Sequence, residues 1–234
     1  MSAVPKVAGP SSPQDDAIVH IVDDDASLCA ALSSLFESVG LTACTYQSAG
    51  AFLGASPTDT AGCVVVDIRL PDMNGLEFQN RLSQMGNPMP VVVMTGHGDI
   101  SMSVRAMKGG AVDFLPKPFR DQDMLDAVMA AIARDRQRRQ LEQEVLQLWA
   151  RFASLSERER QVMLLVTKGK MNKQVAGDLG ISEITVKVHR GAVMRKMGVR
   201  TLADLVRMAD VLQQKPPQAL AARPASAGQA RRHD

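Results

Sequence analysis

Aspartates, a threonine and a lysine follow short apolar runs through the first half of the chain. Asp23-Asp24-Asp25 closes the run 18–22, Asp67 the run 63–66 and Thr95 the run 91–94, and Lys117 stands just beyond the run 113–115. Three carboxylates brought close together repel, and they stay ionised at neutral pH only with positive charge among them. Mg²⁺ suits that need, because it takes oxygen ligands and keeps several waters and a phosphate oxygen. Lys117 can supply a second positive charge and Thr95 a hydroxyl donor. Such a set fits phosphoryl transfer to a carboxylate oxygen, in which catalysis is mostly positioning and charge neutralisation. Asp67 is the central carboxylate and the candidate nucleophile.

These residues can meet only if the elements carrying them are arranged to let them. The runs 18–22, 42–46, 63–66, 91–94 and 113–115 are rich in β-branched residues, and helix-length stretches follow each one at 26–39, 49–53, 75–85, 100–108 and 121–134. Strand and helix in strict alternation predict a doubly wound parallel sheet. In the order 2-1-3-4-5 the first and third strands are neighbours, and Asp23, Asp24 and Asp67 converge where the strands end, at the switch point. Asp25 is expected to cap the helix that follows it. His97 has no second His or Cys near it and reads as a loop-ordering residue rather than a metal ligand.

Charge divides the chain. Residues 1–134 hold 8 Lys+Arg against 15 Asp+Glu, whereas residues 135–234 hold 19 against 10, so a net charge of +2 hides an acidic half and a basic half. The acidic half suits a cation and the basic half a polyanion, of which nucleic acid is the obvious example. Cys29, Cys44 and Cys63 show no C-x-x-C spacing and are expected as free, mostly buried thiols. The first sixteen residues lack the basic and apolar regions of a signal peptide, and no stretch approaches the ~18 apolar residues of a membrane span. A cytoplasmic protein with no membrane partner is the expectation. A length of 234 residues suits two domains.

After Arg134 the pattern is helical. Leu141, Val145, Leu148 and Phe152 share one face of a charged helix, a short seam that could tie two copies together or pack on its own domain. Four short helices are expected over 156–209; Ser156 with Glu159 forms a capping box and Ser182 a helix cap. That segment holds 11 Lys+Arg against 5 Asp+Glu and no aromatic residue. Stacking platforms for single strands or RNA need aromatics, so duplex DNA is the better fit. The stretch Asn172–Leu179, Gly180-Ile181-Ser182, Glu183–Met197 reads as helix, turn, helix. Val186, Val193 and Met197 should face the core, leaving Lys187, Val188, Arg190, Gly191, Met194 and Arg195 on or near the outer face, toward the major groove.

Residues 17–134 resemble a receiver domain through Val22-Asp23-Asp24-Asp25, Val66-Asp67-Ile68-Arg69-Leu70-Pro71-Asp72-Met73-Asn74-Gly75, Met94-Thr95-Gly96-His97-Gly98 and Asp113-Phe114-Leu115-Pro116-Lys117-Pro118-Phe119. The resemblance implies Asp67 as phosphoacceptor, and Asp24, Asp67 and the Arg69 main-chain carbonyl as Mg²⁺ ligands with Asp23 acting through water. It further implies Thr95 and Lys117 on the phosphoryl oxygens, Phe114 as an aromatic switch, and a cis bond before Pro118. The second half resembles the LuxR-type helix-turn-helix of the FixJ/NarL family through Leu155-Ser156-Glu157-Arg158-Glu159, Met171-Asn172-Lys173-Gln174-Val175-Ala176 and Ser182-Glu183-Ile184-Thr185-Val186-Lys187-Val188-His189. Base contacts at Lys187 and Val188 and phosphate contacts at Lys173, Thr185 and Arg195 are implied. Some relatives carry a basic residue where this chain has Gly191.

The implied organisation is a disordered tail at 1–16, a receiver at 17–134, a linker helix at 135–154, a helix-turn-helix domain at 155–212 and a disordered tail at 213–234. The implied activity is transcriptional regulation controlled by a sensor histidine kinase, with promoter duplex DNA, RNA polymerase and a phosphorylation-promoted homodimer as partners. No enzymatic activity is expected beyond self-phosphorylation and dephosphorylation. One competing reading is a Mg²⁺-dependent phosphohydrolase of the haloacid-dehalogenase type. It needs a second acid two residues after the nucleophile, where this chain has Arg69, which cannot donate a proton at neutral pH. A phosphorylation-controlled domain that binds another protein is the other, and the basic excess argues against it.

Overall fold

The computed structural model describes residues 17–213 except 56, 58, 59 and 97–99. The tail expected at 1–16, all but Gln213 of the tail expected at 213–234, and His97 lie outside the described residues. The chain forms two compact units that divide between Arg139 and Gln140.

In the first unit, strands β1 (Ile18–Val22), β2 (Thr42–Tyr46), β3 (Gly62–Asp67), β4 (Val91–Thr95) and β5 (Asp113–Pro116) alternate with helices α1 (Ala26–Ser38), α2 (Ala49–Ala55), α3 (Gly75–Gln84), α4 (Ile100–Lys108) and α5 (Asp121–Ala153). The five strands form one parallel sheet in the order β2-β1-β3-β4-β5. Side chains alternate across it, as a period of two requires. Val19, Ile21, Cys63, Val65, Val92 and Met94 pack with Phe36 of α1 and Met124, Val128 and Ile132 of α5. Their neighbours Val22, Val64, Val66, Val91 and Val93 pack with Phe52 of α2, Phe78 of α3 and Ala106 of α4 on the opposite face. The central strands are therefore apolar on both sides, which explains their unbroken valine runs. All three cysteines are free, with Cys29 and Cys63 buried and Cys44 half-buried.

His20 and Asp135 are among the polar residues buried in this apolar frame. His20 of β1 is 3% exposed. Its ring lies 5.5 Å from that of Phe52 and 5.8 Å from that of Tyr46, whose hydroxyl is 3.3 Å from His20 Nδ1. Burial pulls the imidazole down to about 4, so it is neutral at pH 7. Asp135 of α5 is fully buried and binds Arg138 at 2.6 Å and Arg139 at 2.7 Å, and accepts the Gly62 N–H at 3.1 Å. Arg139 also donates to the Thr60 carbonyl at 2.7 Å. A charged cluster thus fastens α5 to the start of β3. Gly62 cannot be replaced there, because a Cβ would lie 2.1 Å from the Ile18 carbonyl oxygen.

α5 differs from expectation. The change of charge and texture predicts one helix ending at 134 and a linker helix starting at 135, whereas the structure has a single helix of 33 residues, Asp121–Ala153. The stretch contains no glycine or proline, and nothing in it stops a helix. Its last turns belong to the second unit, where Leu148 and Phe152 pack on the core while Leu141 is 55% exposed.

The second unit adds α6 (Glu157–Thr167), α7 (Asn172–Leu179), α8 (Glu183–Met197) and α9 (Leu202–Leu212). The Ser156–Glu159 capping box is formed, and Glu159 additionally pairs with Lys196 of α8 at 2.6 Å. Val162, Val166, Val175 and Val186 make one apolar cluster and Leu155, Met163, Val193, Met197 and Leu205 another. Gly180, at φ +65°, ends α7 and lets the chain turn at once into α8.

Candidate functional site

The register that pairs Val22 with Val66 sets Asp23 and Asp67 side by side at the strand ends. Asp23 is 1% exposed and Asp67 7%. Lys117 comes from the other side of the sheet end, just past β5, and its Nζ lies 2.8 Å from Asp23 Oδ2 and 2.7 Å from Asp67 Oδ1. Burial opposes the ammonium charge, but the bonds to Asp23 and Asp67 outweigh it and hold Lys117 above the usual lysine range. The Lys117–Pro118 bond is cis. The Lys117 N–H donates to the Thr95 carbonyl at 2.6 Å, which ties the β5 loop to the end of β4.

Each carboxylate has its second oxygen engaged by backbone. Asp23 Oδ1 accepts from the Asp25 N–H at 2.9 Å and Asp67 Oδ2 from the Arg69 N–H at 2.7 Å. Asp25 caps α1, as expected, by accepting from the N–H groups of Ser27 and Leu28. Asp72 performs the same service for α2 through Ala49 and Gly50. Burial works against its charge, and these backbone donors overcome it to keep its carboxyl below the usual range. Gly75 lets α3 start against the end of β3, since a Cβ would stand 2.7 Å from the Asp67 carbonyl oxygen.

Asp23, Asp67 and Lys117 are therefore brought together. Thr95 is fully buried at the end of β4 opposite Pro116, and Phe114, two residues earlier on β5 and opposite Val93, is half-buried against the α2–α3–α4 side of the sheet. Asp24 is exposed and makes no hydrogen bond or ion pair among the described residues. No group of three His, Cys, Asp or Glu side chains is gathered as a ready metal cage among the described residues. The available donors are carboxylate and carbonyl oxygens, the set that Mg²⁺ takes while keeping waters, so the residues fit that ion by donor chemistry.

In the second unit α8 turns Val186, Val193 and Met197 inward and leaves Lys187, Val188, Gly191 and Arg195 exposed. Two expected outer positions differ. Met194 is half-buried against the Leu155–Leu205 cluster, and Arg190 is half-buried with its guanidinium donating to Asn172 Oδ1 at 3.2 Å. Both lie on the flank of the helix, where α7 and the core reach them. Lys173 is exposed on α7, and Thr185 hydrogen-bonds the capping Ser182 through both its N–H and its hydroxyl.

Fold and site together define a class: a sheet-borne carboxylate cluster in one unit and a basic helix-turn-helix in the other, the plan of a receiver-controlled transcriptional regulator. Two family profiles match, the response regulator receiver domain over residues 19–129 and the bacterial regulatory proteins of the luxR family over residues 153–209. Nodulation protein W of Bradyrhizobium diazoefficiens is 53% identical, over 84% of this chain and 86% of that one. TodT, a response regulator protein of Pseudomonas putida, is 45% identical over 83% and 86%. Among solved structures the response regulator StyR superposes with a TM-score of 0.76 at 45% identity, covering 83% of this chain and 98% of its own. This chain belongs to the FixJ/NarL family of two-component response regulators. No helix among the described residues is long and apolar enough to cross a membrane.

Proposed function

We propose that the protein accepts a phosphoryl group on Asp67 from a sensor histidine kinase and thereby controls how its helix-turn-helix binds promoter DNA. The observation that carries this reading is the Lys117 ammonium lying within 2.8 Å of two buried carboxylates at the strand ends. In the forward step an Asp67 carboxylate oxygen attacks phosphorus, the P–O bond forms, and the P–N bond to the kinase imidazole breaks. In a separate resetting step water attacks the acyl phosphate at phosphorus, the P–O bond to Asp67 breaks, and inorganic phosphate and the free carboxylate are released. Mg²⁺, held by Asp24, Asp67 and the Arg69 carbonyl with Asp23 acting through water, would neutralise charge on the phosphoryl oxygens. Lys117 and the Thr95 hydroxyl donate to those oxygens, and Phe114 responds to the position of Thr95.

Regulation then lies in duplex recognition. Lys187 and Val188 read base edges from α8, with Gly191 and the partly diverted Arg190 beside them, while Lys173, Thr185 and Arg195 contact phosphates. The kinase, promoter DNA, RNA polymerase and a second copy of the chain are the partners, in the cytoplasm where the DNA lies. We expect the receiver to span 17–134, a linker 135–154 and the DNA-binding domain 155–212. The test is labelling by acetyl phosphate. Wild-type protein with Mg²⁺ should gain an acid-labile phosphoryl group, and Asp67→Asn, or wild type in EDTA, should not. Full labelling of the variant would remove Asp67 from the role.

A further inference from the structure

The outward side of α8 is more apolar than a solvated helix needs to be. Ile184 is 74% exposed and Val188, one turn later, 66%. Gly191 and Arg195 continue the line, so the four positions recur at i, i+4, i+7 and i+11, directly opposite the buried Val186, Val193 and Met197. Gly191 is itself unexplained by folding. A Cβ built on it meets nothing within 4 Å, and a glycine inside a helix weakens that helix relative to alanine. Arg190 lies off this line, on the flank of the helix, where its guanidinium donates to Asn172 Oδ1. The strip therefore offers two branched hydrocarbon side chains, then bare backbone, flanked by the exposed Lys187 and Arg195.

A basic helix that enters the major groove places its N-terminal residues against base edges, and the hydrocarbon group displayed there is the C5 methyl of thymine. We propose that Ile184, together with Val188, reads thymine methyls on neighbouring base pairs, and that Gly191 is the point of close approach that seats the helix deeply enough for them to do so. The inference rests on the DNA-binding reading above and specifies its chemistry: Ile184 is a specificity residue, and the preferred sites carry adjacent thymines. Ser182 fixes the geometry, because its hydroxyl accepts the Thr185 N–H at 3.1 Å and starts the helix one residue before the strip.

The experiment uses the full chain, treated with acetyl phosphate, and duplexes selected from a random pool by that protein. Thymines in a selected site are replaced one at a time by deoxyuridine, which removes the methyl and nothing else. Wild-type binding should weaken about fourfold at the thymines that are read, the factor one buried methyl is worth. Ile184→Ala should bind the thymine site more weakly and lose nothing further at the position Ile184 contacts. Gly191→Ala should raise the thermal midpoint yet weaken binding to the selected site more than to random duplex. Deoxyuridine duplexes bound as tightly as thymine ones, or an equal uracil penalty in wild type and Ile184→Ala, would overturn the proposal. So would an Ile184→Ala variant altered only in self-association or in protein binding. Undiminished binding by Gly191→Ala would overturn the role given to that residue. Failure of wild type to select any duplex would instead defeat the DNA-binding reading itself.

Discussion

Lys117 bridges two carboxylates with one ammonium, and under the proposed function a phosphoryl group on Asp67 would be met by the same donor. Removing it takes away a preorganised cation at the developing charge, an interaction whose loss typically costs about 100-fold or more in rate. Lys117→Ala should therefore still be labelled on Asp67 by acetyl phosphate, but about 100-fold more slowly; labelling at the wild-type rate would contradict the assignment. His20 offers a second test. Its folded pKa of about 4 lies below the ordinary 6.5, so the unfolded chain takes up the proton first. The contribution of the neutral ring is complete above about 6.5 and is lost as pH falls from there toward about 4. Urea unfolding followed by circular dichroism should show that loss in wild type and a shallower one in His20→Phe. Identical slopes would mean that the ring does not stay neutral on folding.

The same logic governs the cluster that holds α5 to β3. Asp135 is buried with two arginines and also satisfies the Gly62 N–H. Truncating one member of a buried pair leaves charge uncompensated, so Asp135→Ala should cost about 3 kcal/mol. Asp135→Asn should cost less, because an amide oxygen can still accept from Gly62; equal losses in urea unfolding would show that the backbone bond adds nothing. None of this was legible in the sequence. The Asp67 neighbourhood was, because its carboxylates close apolar runs and strict alternation predicts a parallel sheet, whose order 2-1-3-4-5 places the first and third strands side by side. Asp135 and Gly62 are 73 residues apart, and a charged residue in a charged helix carries no local sign of being buried. His20 fits a β-strand by position, but only packing against Phe52 and Tyr46 decides its charge. Charge and texture change at 134 and suggest a helix end there, although a change of composition does not break hydrogen bonding along a helix that holds no proline. Arg190 and Met194 lie on the flank of α8, where spacing alone does not separate groove from core.

At the scale of the whole molecule, the proposed function has an acidic unit take the signal and a basic unit act on it at DNA. One helix-turn-helix covers few base pairs, so pairing two copies raises the effective concentration of the second reading helix. Phosphorylation should then shift sedimentation toward dimer and tighten DNA binding at fixed salt, with some dimer and some binding present beforehand, since modification only biases an existing equilibrium. A phosphorylated protein that stays monomeric and binds no more tightly would defeat this mechanism and leave Asp67 untouched. Two of the three free cysteines give the molecule an internal clock for such experiments. Half-buried Cys44 lies on the edge strand, whereas burial, reinforced by Asp135, pushes the Cys63 thiol far above its ordinary range. A thiol reagent should modify Cys44 in the native state and reach Cys63 only during openings of the sheet. The ratio of the two labelling rates then reports the opening free energy of the first unit in the intact chain, and its change on adding a phosphodonor reads any effect of the modification on that opening.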